Sequence, residues 1–233
     1  MMKILNSCQF SGRGCTYKRE RHLVSEIREH EKLCGYRSIF CMARHRGACQ
    51  WEGPIPDFMS HVRTSNCVQI LRNGPGNIGP FSHFISDCGL PGSSVLNRTV
   101  ASHWQPTLFA SAEITSFLIY LTIRRSATGL WTLVLRTFSP KAMRDRVRVQ
   151  FWVHGNARAG EPASHKFTYR GGIVSHMMPN ADILQAKKLL LLDDDQVRLM
   201  RTDDGTLFHY NLSVDIAPPL PGALRLGVAN GNH

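Results

Sequence analysis

Two similar segments decide the fold: CQFSGRGCTYKRERHLVSEIREHEKLC at residues 8–34 and CMARHRGACQWEGPIPDFMSHVRTSNC at residues 41–67. Their cysteines and histidines follow the patterns C-x6-C-x14-H-x3-C and C-x7-C-x11-H-x5-C. Thiolate sulfur and imidazole nitrogen hold Zn²⁺ in tetrahedral sites, and structural sites use four protein ligands. The spacing therefore predicts two structural zinc ions. Their predicted ligands are Cys8, Cys15, His30 and Cys34, then Cys41, Cys49, His61 and Cys67.

The same cysteines allow two other interpretations, a disulfide framework and scattered thiols. Histidines that alternate with the cysteines argue against disulfides, and Met1–Ser7 shows no secretory signal. Of the seven cysteines, Cys88 alone stands outside the two sets. An isolated cysteine near a strand is more often a small buried hydrophobe than a nucleophile, and we expect this of Cys88.

Each set is predicted to combine a turn with a helix. Residues 23–33 contain good helix formers and no glycine or proline, so His30 and Cys34 project to one face, and Gly35 is expected to stop the helix. A second, shorter helix is predicted near Asp57–Arg63. Because Cys67 lies six residues after His61, this helix must end first, near Asn66. A ligand from elsewhere in place of Cys67 remains an alternative.

After a linker at Asn73–Pro80, the pattern changes to short strands separated by turn signals, with little helix. This is typical of an antiparallel β-sandwich, so the predicted fold class is mainly β. The predicted strands are Phe117–Ile123, Leu130–Leu135, Val147–Val153, Lys166–Tyr169, Leu189–Leu192 and Leu207–Ile216, with a hairpin at Thr128-Gly129. The predicted domains are residues 1–72 (double zinc finger), 73–217 (sandwich) and 218–233 (flexible tail).

Composition narrows the function classes. The net charge is +11, but it is spread along the chain without a run of five basic residues, which favours a diffuse basic surface over a nucleic-acid site. No apolar stretch is long enough to span a bilayer, so no membrane role is expected. Asp193–Asp195 is expected to be a solvated turn. His154, His165, His176 and His209 lack metal-ligand spacing.

The chain resembles the Seven-in-absentia (Siah) family of ubiquitin ligases from about Cys8 to Ile216. The resemblance is carried by the paired fingers, Cys34-Gly-Tyr-Arg, Cys49-Gln-Trp-Glu-Gly, Leu90-Pro-Gly and the Asp203–Gly205 turn. It implies a TRAF-like sandwich that binds an extended Val-x-Pro-type peptide at a sheet edge, with Leu71 and Trp104 as the peptide-binding residues. A partly buried core aromatic is an equally good interpretation of Trp104.

Three features depart from the family pattern. No C-x2-C pair or room for a catalytic RING domain precedes Cys8, Cys67 stands where the family usually has histidine, and the region around Ser93–Glu113 is longer. The resemblance thus implies a substrate-recognition protein without its own RING. Thiolate ligands fit a reducing compartment, so the expected location is the cytoplasm or also the nucleus. The protein would bind degradation substrates or adaptor peptides and form a homodimer, or a heterodimer with a RING-bearing Siah protein. Alternatives are a ligase subunit that uses a partner's RING or has lost its own, and, more remotely, a nucleic-acid-binding zinc protein.

Overall fold

The computed structural model of the chain describes residues 5–20, 23–72, 81–87, 94–110, 118–139, 141–155 and 165–217. Several predictions lie outside these residues: Cys88, the Asn73–Pro80 linker, the Leu90-Pro-Gly motif and the tail from residue 218. The described part is mainly β, with two Cys/His clusters followed by a domain of several sheets. The predicted fold class is confirmed at this level.

The elements follow the predicted sequence of finger helices and later strands. The strands are β1 Leu5–Ser7, β2 Lys18–Glu20, β3 Ser38–Phe40, β4 Glu52–Pro54, β5 Gln69–Arg72, β6 Phe81–Ser86, β7 Ser102–His103, β8 Thr107–Ala110, β9 Ile119–Arg125, β10 Leu130–Thr137, β11 Val147–His154, β12 Lys166–Gly171, β13 Val174–Ser175, β14 Leu190–Asp193 and β15 Thr206–Ile216. The helices are α1 Val24–Leu33, α2 Ile55–Ser65, α3 Lys141–Arg144, α4 Asn180–Gln185 and α5 Asp194–Met200. In the described ranges, none of these helices has the length and apolar character of a membrane span.

Two sheets pack face to face as a sandwich. One follows the order β13-β10-β9-β8-β5, with β14 beside β10 and β7 beside β9, and the other follows β12-β11-β15-β6. Alternating residues from both sheets, including Trp131, Phe151 and Phe208, share one buried core. The sheets are antiparallel except for two parallel pairs, β5 with β8 and β10 with β13. The prediction of a wholly antiparallel sandwich missed these pairs because each joins strands that are distant in sequence.

The second finger and the sandwich share a second core. Phe58 and Val62 of α2 pack with Leu108, Tyr120 and Phe138 of the sandwich, and all five side chains are buried. In addition, Gln69–Arg72, at the end of the predicted finger domain, forms a strand of the larger sandwich sheet. The second finger is therefore continuous with the sandwich.

The prediction of a solvated turn at Asp193–Asp195 was wrong. Asp193 caps α5: its carboxylate accepts the Gln196 N–H at 2.8 Å, and the Gln196 side chain accepts the Asp193 N–H at 2.9 Å. Asp194 accepts hydrogen bonds from the guanidinium of Arg125 at 2.6 and 2.8 Å and from Trp131 Nε1 at 2.8 Å. The Arg125 side chain is only 3% exposed, so Asp194 neutralises a charge that is held inside the sandwich.

We predict that Asp194→Asn lowers the free energy of unfolding by about 3 kcal/mol, because it leaves the buried Arg125 without a counter-ion. Urea denaturation followed by tryptophan fluorescence measures this. Asp195→Asn is the matched control: the Asp195 side chain is 95% exposed, and we expect a change within about 0.5 kcal/mol. Equal stability of the two variants would contradict the assignment.

The same pair predicts a pH dependence. Burial opposes ionisation of Asp194, but hydrogen bonds from Arg125 and Trp131 outweigh it, so the pKa of Asp194 is lowered on folding. The stabilisation from this ion pair is therefore fully present above the ordinary aspartate pKa of about 4. It is lost as the pH falls through the lowered pKa of Asp194 in the folded state. Asp194→Asn should remove this part of the acid sensitivity, as measured by urea denaturation between pH 7 and pH 3.

Candidate zinc centres and edge groove

The first cluster is built from a hairpin and a helix. Cys8 follows β1 and Cys15 precedes β2, and Gly14, at φ 103°, reverses the chain between them. His30 lies in the last turn of α1. Cys34 follows the helix with an extended backbone at φ −57° and ψ 131°. The helix thus ends before Gly35 and needs no left-handed residue there, so the expected role of Gly35 as a helix stop was wrong.

The donor atoms of the first cluster have the separations of a tetrahedral zinc site. Cys8 Sγ and Cys34 Sγ are 3.9 Å apart, and Cys15 Sγ and His30 Nε2 are 3.2 Å apart. Bond lengths of about 2.3 Å to sulfur and 2.1 Å to nitrogen give roughly 3.8 Å between sulfurs and roughly 3.6 Å between sulfur and nitrogen in a tetrahedron. All four donor atoms lie within 4.8 Å of one another. This donor set fits a four-coordinate zinc ion.

The second cluster is also built from a chain reversal and a helix, but the chain leaves the helix in a different conformation. Cys41 and Cys49 flank a reversal at Gly47, which has φ 69°, and His61 lies on α2. The helix ends at Ser65. Asn66 adopts the left-handed conformation, with φ 49° and ψ 14°. Asparagine tolerates this conformation better than most residues, and the reversal brings Cys67 back toward the other three ligands.

The structure groups Cys67 with the second set. Its Sγ lies 3.4 Å from Cys41 Sγ and 3.6 Å from His61 Nε2, and Cys49 Sγ is 3.5 Å from that same nitrogen. The four donor atoms again lie within 4.8 Å of one another. Both sets supply three sulfurs and one nitrogen, a closed donor set of the structural kind. The two clusters are therefore sites for two structural zinc ions.

Both ligand histidines are held by an aromatic ring two residues after the second cysteine of the set. The Tyr17 and His30 rings are stacked at 4.0 Å with 5° between their planes, and Trp51 and His61 are stacked at 4.5 Å with the same angle. A ring stacked in this way restricts rotation of the imidazole, so its Nε2 stays directed at the metal position.

Backbone N–H groups point at four of the cysteine sulfurs. Each donor lies two residues after its acceptor, at 3.4–3.5 Å: Phe10 to Cys8, Tyr36 to Cys34, Ala43 to Cys41 and Trp51 to Cys49. Hydrogen bonds from these backbone N–H groups favour the ionised thiolate over the neutral thiol. Burial lowers the pKa of both ligand histidines, which keeps the imidazoles neutral. The six described cysteines are free, so the disulfide alternative was wrong.

Besides the two zinc clusters, the structure has a groove between two strands at the edge of the sandwich. We call it the edge groove. It has a volume of about 820 Å³ and lies between β5 and β6. Its walls come from the end of α2, from both strands and from the loop before β8. The lining residues are Val62, Arg63, Asn66, Val68, Gln69, Ile70, Arg72, His83, Phe84, Ile85, Ser86, Trp104 and Gln105.

The two predicted peptide-binding residues have different positions at this groove. Trp104 lines it but is only 8% exposed, packs on the Trp131 ring at 4.6 Å, and donates from Nε1 to the Ser86 carbonyl at 3.1 Å. Leu71 lies on β5, but its side chain packs against the sandwich core and is not part of the lining. Sequence reasoning missed β6, because Phe-Ser-His-Phe-Ile-Ser does not alternate strictly between apolar and polar residues: His83 lies on the inward face and Phe84 on the outward face.

We predict that the two zinc sites contribute unequally to sandwich stability. Cys15→Ser and Cys49→Ser should each lower the zinc content from two ions to one per chain. Cys49→Ser should also lower the free energy of unfolding of the sandwich by at least ~2 kcal/mol, because the second finger shares a core with it. Cys15→Ser is the matched control, because the described hydrophobic residues packed against the first cluster are Phe10, Tyr17 and Tyr36, none of which comes from the sandwich. Metal analysis and urea denaturation measure both effects; equal losses would contradict the unequal coupling.

Zinc affinity should rise with pH. In the metal-free fold, burial raises the pKa of Cys34 to about 12 and raises those of Cys8 and Cys41, so zinc must displace protons at neutral pH. Competition with a chromophoric chelator should show at least a roughly tenfold gain in apparent affinity per pH unit between pH 6 and 8. An affinity independent of pH would show that the thiols are already ionised without the metal.

Comparison with known proteins agrees with this geometry. Residues 2–75 match the family model described as Sina, zinc finger, a segment that contains all eight donor residues. No curated protein matches the chain. The matched family suggests a role in a Siah-type ubiquitin ligase system. Residues 2–75 are therefore a double zinc finger of the Sina type.

Proposed function

We propose that this chain recognises substrates for a Siah-type ubiquitin ligase system by adding an extended peptide segment to the edge groove. The observation that carries the proposal is the groove itself, about 820 Å³ between two strands that both lie at a sheet edge. In this mode main-chain hydrogen bonds supply affinity, and side-chain pockets supply specificity. Degradation substrates and adaptor peptides are the proposed ligands.

The main chain of β5 is arranged for strand addition. Among the described residues β5 pairs only with β8, in parallel. The Gln69 N–H donates to the Pro106 carbonyl at 2.9 Å, so Gln69 faces β8. Main-chain groups alternate in direction along a strand, so those of Ile70 face the open edge. They offer one donor and one acceptor to an incoming strand.

The groove combines apolar walls with a few polar groups. Val68 and Ile85 are buried, and Phe84 is 49% exposed, so apolar surface continues from the floor to the rim. Within the groove the Gln69 amide contacts His83 Nε2 at 2.8 Å. Apolar walls with a small number of placed polar groups are typical of peptide and ligand sites.

The zinc centres fit a recognition role. Each donor set supplies four protein ligands, which leaves no coordination position for a reacting water. In the proposed function ubiquitin transfer is supplied by a RING domain, which a heterodimer with a RING-bearing Siah protein would provide. A homodimer is the alternative assembly, and the cytoplasm or nucleus is the proposed location.

Fluorescence anisotropy with a labelled Val-x-Pro-type peptide tests the binding mode. Phe84→Ala should weaken binding about tenfold, because it removes an exposed aromatic wall worth roughly 1–2 kcal/mol. The control is Met177→Ala, which is 64% exposed and follows β13, at the opposite end of the larger sheet from β5. Equal affinity of the two variants would place binding outside the edge groove.

Peptide N-methylation separates strand addition from simple side-chain docking. Two peptides are methylated on alternate amides, one on the odd positions and one on the even positions. The peptide whose methylated amides would donate to β5 or β6 should lose binding, and the other should bind almost as well as the unmodified peptide. The two methylated peptides keep identical side chains, so each is the control for the other. If both bind as well as the unmodified peptide, main-chain pairing is not the mode.

An ubiquitination assay tests the wider role. The full chain, combined with a conjugating enzyme, ubiquitin and an intact RING-bearing Siah protein, should change the rate or substrate range of that ligase. Phe84→Ala should lose this effect while keeping both zinc ions. No effect of the full chain in this mixture would overturn the ligase role, even if peptide binding is confirmed.

A further inference from the structure

We infer that the edge groove selects acidic peptides: a short apolar stretch with a carboxylate on each side. This rests on the proposed function and adds the substrate class. The lining contains two arginines, Arg63 and Arg72, and no aspartate or glutamate among its described residues. The charge at the groove is therefore of one sign.

Both arginines are available to a ligand. In the described part of the chain neither Arg63 nor Arg72 makes an ion pair, and both side chains are exposed. By contrast, Arg125 is neutralised by Asp194, and Arg201 lies 3.6 Å from Asp87. The charge of the groove is thus left for a partner.

The third basic side chain in the lining does not add charge at neutral pH. His83 is half-buried, and burial, together with the nearby His209, lowers its pKa below the ordinary histidine value. Its Nε2 is also occupied by the Gln69 amide at 2.8 Å. The attraction for an anion therefore comes from the two guanidinium groups.

In the sequence, the two arginines flank the apolar residues Val68 and Ile70 of the groove. Arg63 lies on the last turns of α2, before Val68, and Arg72 is the last residue of β5. From Val68 to Arg72 an extended chain spans roughly 13 Å, at about 3.3 Å per residue. Val68 and Ile70 lie between the two arginines in the sequence. Both line the groove and pack with the core that the second finger shares with the sandwich. A bound strand would therefore carry its two carboxylates on either side of a hydrophobic centre.

The test compares peptides that differ only in the flanks. Three labelled peptides share one short apolar core and carry glutamate, glutamine or lysine on both sides of it. At low ionic strength we expect the glutamate peptide to bind about tenfold more tightly than the glutamine peptide, and the lysine peptide to bind most weakly. In 0.5 M salt the gap should narrow to within about threefold, because exposed ion pairs are screened.

Substitutions show which residues cause the preference for the glutamate peptide. Arg63→Gln and Arg72→Gln should each reduce the glutamate-over-glutamine ratio to about threefold, and the double variant should reduce it to about one. Arg170→Gln is the matched control: Arg170 is exposed on β12, at the opposite edge of the smaller sheet from β6, and the ratio should stay the same.

The outcomes separate this inference from the proposed function. If the glutamine and lysine peptides bind as tightly as the glutamate peptide, the acidic preference is overturned and strand addition stands. The same holds if Arg170→Gln reduces the ratio as much as the groove variants, because the preference then reflects only the overall positive charge. If no peptide binds in any series, the proposed function fails, and the inference fails with it.

Discussion

The tetrahedral geometry of the second zinc set is the constraint on which the rest of the structure depends. Four donors must meet at one point, so α2 has to end before Cys67, and it does so through Asn66 in the left-handed conformation. The chain then leaves in a fixed direction and begins β5 two residues after Cys67. One wall of the edge groove is therefore positioned by a metal centre, although none of the four ligands lines that groove.

The two fingers have the same local construction but different relations to the sandwich. Stacked aromatic rings, backbone N–H groups directed at sulfur and a left-handed glycine recur in both. The first finger packs mainly on itself, and the linking segment is held by Arg37, whose guanidinium donates to the Phe138 carbonyl at 2.6 Å. The second finger contributes buried side chains to a core that includes Tyr120 and Phe138. A repeated sequence motif thus produces one peripheral module and one integral part of the sandwich.

The sequence predicted features that depend on local spacing, and it did not predict those that depend on distant pairs. The ligand sets, α1, the end of α2 near Asn66 and the Thr128-Gly129 hairpin all follow from residues a few positions apart. The ion pair of Arg125 with Asp194 joins residues 69 positions apart, and no periodicity marks it. The edge groove is similar, because β5 and β6 belong to different sheets and neither strand alone shows that its neighbour leaves an open edge. Long-range pairing and the burial of a charge are decided by the tertiary structure.

An open pair of sheet edges is also a hazard, since unpaired main-chain groups invite association with other copies of the chain. Exposed positive charge at an edge is one way in which proteins prevent such pairing. Arg72 ends β5 and is exposed, and the chain as a whole carries a net charge of +11, so two copies approaching through this edge repel each other. The same charge attracts a partner of opposite sign. In the proposed function, protection against self-pairing and selection of an acidic segment are two consequences of one arrangement: among the described residues β5 pairs only with β8, and Arg72 makes no ion pair.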